Sequence, residues 1–189
     1  QVLAAITTGT SSSAGTGTLT TASSLTWSHT IGSGSNSILL VNVAMYGNVP
    51  VTSVTYGGTA LTLLGFVAGT MTRAEMWYLK APASGTADIV VTLSAAANCT
   101  AGATTFFNVD QTTSFRTPVT GSGTNNPLLT VASAPGELVV DVIADRDING
   151  TGSVTAGANQ TPLWVQWNGS DPADATGASS REAGAASVT

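Results

Sequence analysis

Val51-Thr-Ser-Val-Thr-Tyr56, Gly57-Gly58, Thr59-Ala-Leu-Thr-Leu-Leu64 reads as two alternating runs around a glycine pair. Alternation at a period of two is the mark of a strand with one buried face. Gly-Gly supplies the positive φ angles that a two-residue hairpin turn requires. The stretch is therefore a tight β-hairpin, and its neighbours continue the pattern. Upstream, Ile38 to Tyr46 is an apolar run interrupted by Asn42, short enough for a central strand buried on both faces. Before it, Leu25-Thr-Trp-Ser-His-Thr-Ile31 alternates apolar and hydroxyl positions, and Gly32 to Asn36 is its turn.

Downstream the strands keep coming at short spacing. Met71 to Leu79, Asp88 to Leu93, Ala103 to Val109, Leu128 to Ala132, Leu138 to Ala144 and Trp164 to Trp167 all read as strands. Ala185 to Thr189 reads as one that starts and stops. The stretch from Thr7 to Ser24, rich in Ser, Thr and Gly, fits a hydroxyl-rich strand pair, because Thr favours strands. No segment carries a helical period. The expectation is an all-β chain: one antiparallel β-sandwich domain over 1–189, jelly-roll or Ig-like, of ten or eleven strands and lacking a final one.

Composition narrows the setting. Only 8% of the residues are charged, against about 25% in ordinary soluble domains. The surface is kept wet by 31 Thr and 20 Ser instead. The longest apolar stretch is far below the roughly 20 residues needed to span a bilayer as a helix, so membrane insertion is not expected. Arg73, Lys80, Arg116, Arg146 and Arg181 are scattered, and the net charge is -5. Phosphate neutralisation has no patch to work with, which argues against nucleic acid and anionic lipid as partners. The single cysteine, Cys99, forbids an intrachain disulfide. The sequence opens at Gln1 without a charged and then apolar leader, which fits a processed, secreted protein.

The hairpin Val51 to Thr62, with Ser37-Ile-Leu-Leu-Val41 before it and Glu75-Met-Trp-Tyr-Leu79 after it, resembles a recurrent domain of large secreted bacterial surface and matrix proteins. Those domains are β-sandwiches rich in Thr, Gly and Ala, and most have no assigned activity. The resemblance spans Ile6 to Val188. It implies one more apolar strand after Ser187-Val-Thr189. A sheet short of a strand invites another chain to supply it. The expectation is a homo-oligomer or homopolymer at the cell surface, with Gln1 to Thr8 inside the N-terminal 1–24 segment as the candidate donor strand.

Side-chain chemistry offers less. His29 is the one imidazole, and alternation places it with Leu25, Trp27 and Ile31 on a buried face. No G-x-S-x-G elbow occurs. Cys99 has no base nearby in sequence and reads as an inert buried thiol. No second acidic strand faces the acids at Asp141, Asp145 and Asp147, as glycoside hydrolysis would need. The chain is therefore not expected to be an enzyme.

Asp145-Arg-Asp147-Ile-Asn149-Gly150 matches the opening of a calcium loop, although Ala156 stands where the bidentate acid belongs. Calcium is the one cofactor suggested, with Asp145, Asp147 and Asn149 as ligands; an Asx-rich turn is the plainer reading. Asn98, Asn149, Asn159 and Asn168 begin N-x-[ST] acceptor triplets, about as many as the Ser and Thr content alone would produce. Trp164 and Trp167 are candidates for stacking on a sugar ring, which would make the domain a carbohydrate-binding module. Their odd spacing puts them on opposite faces of a regular strand.

Overall fold

The computed structural model describes residues 4–17, 20–123, 128–146, 154–169, 174–186 and 188. It is all-β, with every strand pair antiparallel. Thirteen strands occur among the described residues: β1 Thr7–Gly15, β2 Ala22–Ile31, β3 Ile38–Tyr46, β4 Val51–Tyr56, β5 Thr59–Ala60, β6 Thr62–Ala68, β7 Thr72–Lys80, β8 Gly85–Ala97, β9 Cys99–Phe107, β10 Leu138–Val140, β11 Ile143–Arg146, β12 Thr161–Trp167 and β13 Ala175–Ala183. No helix among them is long and apolar enough to cross a membrane.

The count departs from the expected ten or eleven for local reasons. The N-terminal hydroxyl-rich stretch forms one strand, β1, where a pair was expected, and its end only begins β2, which runs on through the Leu25 to Ile31 alternation. The run from Leu138 to Ala144 breaks at Asp141, whose carboxylate accepts from the Ser180 N–H and hydroxyl, both at 2.6 Å. The second arm of the hairpin breaks at Leu61, where the chain leaves one sheet for another.

Three sheets result, in the orders β1-β9-β3-β7-β6, β2-β8-β4-β5 and β10-β13-β11 with β12 on the other flank of β13. One apolar cluster draws Leu39, Val41, Val43 and Met45 of β3 together with Val54 of β4 and Ile89 and Val91 of β8. The first two sheets thus share one apolar cluster. Each such side chain contributes roughly 1.5–3 kcal/mol when taken fully from water.

The alternate residues of β3 point the other way. Ile38 and Leu40 pack with Phe106, Leu138, Val140 and Leu163. Asn42 donates its amide to Ser179 Oγ at 3.0 Å. The third sheet thus covers the second face of β3, which is why that run is buried throughout, as its sequence suggested. Close approach depends on glycine: a Cβ on Gly102 would strike the Trp164 indole, and one on Gly177 would meet Thr100, Ala44 and the same indole.

One expectation is corrected, and the expected short strand Ala185 to Thr189 includes residues 187 and 189, which lie outside the described residues. Leu128 to Ala132 is not a strand; Val131 alone forms a bridge, to Val188. Leu128 and Leu129 are both exposed, so the run buries no face against the sheets. The strand that does form near the C-terminus is Ala175–Ala183, whose Ala, Gly and Ser content hides it.

Candidate functional site

The hairpin behind the fold also leads into an edge strand, β6, with exposed apolar side chains. Gly57 and Gly58 take φ of 54° and 81°, the two positive values of a type I′ turn. Only Thr59 and Ala60 then pair with β4. Leu61 gives its N–H to the Val54 carbonyl at 2.9 Å. After Leu61 the chain joins the five-stranded sheet as β6, which pairs with β7 on one side and with no other strand among the described residues.

Thr62-Leu-Leu-Gly-Phe-Val-Ala68 carries no charge and no proline, the usual guards of an edge. Leu63 is 39% exposed and Phe66 50% exposed. A bulge between Leu63 and Gly65 sets Leu63 opposite Trp77 and Phe66 opposite Glu75, while Gly65 stands opposite Met76. Leu63 and Phe66 consequently share the face that looks toward the four-stranded sheet. Pro118 lies against the other face, at Gly65.

Beneath Phe66 is a buried polar plug. The Arg73 guanidinium lies 4.1 Å from the Phe66 ring centroid. Its Nε donates to Glu75 Oε1 at 2.5 Å and its Nη1 to Asn48 Oδ1 at 3.0 Å. Glu75, 1% exposed, also accepts from the Val51 backbone N–H at 3.0 Å and from Trp77 Nε1–H at 2.9 Å. The plug closes the gap where β4 and β6 part into different sheets, and its two charges cancel.

The nearest approach to catalytic chemistry is at the opposite corner. His29, 1% exposed, bonds Ser12 Oγ through Nδ1 at 2.8 Å and Thr105 Oγ1 through Nε2 at 2.9 Å. Trp27 Nε1–H donates to the same Ser12 oxygen at 3.0 Å. No carboxylate orients the imidazole in these contacts, and burial pushes its pKa down to about 4. Such a ring is a weak base at neutral pH; here it ties β1, β2 and β9 together. Cys99 is fully buried, and burial, followed by the Glu75 carboxylate, pushes its thiol up to about 12.

The remaining candidates do not converge. Asp147 and Asn149 of the calcium motif lie outside the described residues, and Asp145 is exposed within β11. Among the described residues no three His, Cys, Asp or Glu groups could hold a metal. The tryptophans divide as their spacing requires: Trp164 is 6% exposed between sheets and Trp167 43% exposed. Near Trp167 the polar groups that would grip a sugar turn inward, since Gln166 Oε1 accepts from Ser13 Oγ at 3.1 Å and Asn168 Nδ2 donates to Thr16 Oγ1 at 2.7 Å.

Of the acceptor triplets, Asn98 and Asn168 are buried, Asn159 is exposed at φ 67°, and Asn149 lies outside the described residues. A groove of about 450 Å³ beside Tyr56, Lys80 and Pro82 is lined largely by small residues, and Lys80 Nζ donates to the Gln111 carbonyl at 2.7 Å. Of the candidate donor segment Gln1 to Thr8, residues 1–3 lie outside the described residues, and Thr7 and Thr8 already pair with Phe107 and Phe106 of the same chain.

Sequence reading missed the edge of β6. The absence of charge could not have found it, because the first 72 residues carry no Asp, Glu, Lys or Arg at all. Comparisons with family models, curated proteins and solved structures return no match.

Proposed function

We propose that this chain is a structural module of an extracellular assembly, a filament subunit or an adhesin domain, that joins other chains by adding strands to its sheets. The observation that carries this reading is β6: an uncharged edge strand with Leu63 and Phe66 in solvent. Unpaired N–H and C=O groups beside exposed apolar side chains are what a further strand needs. The scaffold behind it is read as a β-sandwich, with the third sheet added to a two-sheet jelly-roll or Ig-like plan. With 8% charged residues, repulsion between subunits is weak. The Thr- and Ser-rich surface and the resemblance to secreted bacterial surface domains support an extracellular setting.

Association measured by light scattering and electron microscopy tests this. The wild-type chain is expected to form dimers or longer species as concentration rises, and Phe66→Lys to suppress them while circular dichroism stays unchanged. A wild-type chain that stays monomeric at every concentration refutes the proposal.

A further inference from the structure

We propose that His29 is an acid-sensitive latch on β1: when the imidazole takes a proton, β1 lifts from β9 while the other strands stay in place.

Three strands touch the ring, and they differ in what holds them. β2 carries the imidazole and also plants Leu25 and Ile31 in the first apolar cluster. β9 offers Thr105, lies between β1 and β3, and gives Cys99, Ala101 and Ala103 to that cluster. β1, Thr7-Thr-Gly-Thr-Ser-Ser-Ser-Ala-Gly15, is the outermost strand of its sheet. It sets only Ala14 against the cluster, with Ile6 just ahead of it on the second one. Its side chains are tied by hydroxyls instead: Ser11 to Thr104 at 2.9 Å, Ser12 to His29 at 2.8 Å and Ser13 to Gln166 at 3.1 Å. Water replaces a hydroxyl's partner readily and does not replace an apolar anchor. β1 is therefore the strand that yields first.

The ring has no counter-charge. His29 is buried, and β1, β2, β4 and β9 contain no Asp, Glu, Lys or Arg. β8 contains only Asp88, exposed opposite Ser28 and so on the face of β2 turned away from His29. The Tyr56 ring of β4, 6.3 Å away, stays neutral in acid. Protonation makes both ring nitrogens donors. The Ser12 and Thr105 hydroxyls can turn to accept, but neither neutralises the charge, which only water can then stabilise. Lifting Ser12 off Nδ1 admits water with the least apolar surface disturbed. Release uncovers the edge of β9 that β1 occupies. The latch is independent of assembly through β6.

Hydrogen–deuterium exchange read by mass spectrometry at pH 7 and pH 5, corrected for the intrinsic rate at each pH, tests this. A ring that titrates near its ordinary 6.5 with β1 lifted and near 4 with β1 seated makes β1 about twentyfold easier to open at pH 5. The wild-type peptide spanning β1 is expected to lose protection by that factor, with β3 and β8 unchanged. His29→Gln keeps a donor and an acceptor but does not titrate, and is expected to lose the effect. Equal loss across β1, β3 and β8 overturns the proposal, as does an undiminished loss in His29→Gln. The wild type also decides alone: protection of β1 that is flat between the two pH values overturns the latch.

Discussion

Arg73 stacks its guanidinium on Phe66 at 4.1 Å while its Nε holds Glu75 at 2.5 Å. One side chain thus joins an exposed aromatic ring to a buried carboxylate. Phe66 is the solvent side of this arrangement and Glu75 the structural side, so substitutions at the two have different consequences.

Glu75→Leu strands a buried guanidinium and removes the acceptor of the Val51 N–H and the Trp77 indole. Breaking one partner of a buried pair costs about 3–5 kcal/mol. Phe66→Ala removes a half-exposed ring and a stacking contact worth roughly 0.5–1 kcal/mol. Urea unfolding is expected to show a large loss for the first and a small one for the second. Light scattering is expected to show the reverse order for association among variants that remain folded.

Gly102 lies under the Trp164 indole, and alanine there collides with it. Gly102 lies on β9 between β1 and β3 and the Trp164 ring is buried, so neither gives way easily. Overpacking of this kind costs typically 1–3 kcal/mol. The strain falls on the contact between β9 and the third sheet, while the cluster around Leu39, Val41 and Ile89 is on the other face of the sheet. Gly102→Ala is expected to red-shift part of the tryptophan emission and to raise amide exchange in β12 and β13 well before β3 or β8.

How much of this was legible in the sequence depended on whether the signal was local. Gly57-Gly58 specified its turn, and the odd spacing of Trp164 and Trp167 specified their opposite faces. The apolar run of β3 indicated two covered faces without saying what covered the second. The cover includes Ala175-Thr-Gly-Ala-Ser-Ser180, small and polar residues that carry no strand signature. Small size is what lets β13 approach β9, so the feature that makes the contact also hides it. The period-two reading of the β6 run failed at Leu64, because a bulge is set by pairing with β7 and not by local composition. Leu128 to Ala132 failed the opposite way: its apolar residues suggested a strand, and among the described residues only Val131 is bridged.

Cys99 is expected to resist iodoacetamide at pH 8 in the native state, because burial holds its thiol protonated up to about 12 and its sulfur out of solvent. Reaction is expected to become complete only across the urea transition, followed as mass gain. Appreciable labelling of the folded protein would show that β9 opens locally.

His29 sets a pH window for stability. Its folded pKa is lowered from 6.5 to about 4 by burial. Between those values the unfolded chain binds a proton that the native chain refuses, so stability falls as pH drops through the window and is level above it on this account. The groups around the ring are the Ser12 and Thr105 hydroxyls, the Trp27 indole that shares Ser12, and the Tyr56 ring 6.3 Å away, none of them charged at these pH values. No carboxylate among these contacts rewards protonation. His29→Gln keeps a donor and an acceptor but cannot titrate. The urea midpoint of the wild type is therefore expected to drop between pH 7 and pH 4.5 by more than that of His29→Gln. Equal drops would mean that carboxylates elsewhere carry the whole acid sensitivity, and that the corner of β1, β2 and β9 tolerates an imidazolium.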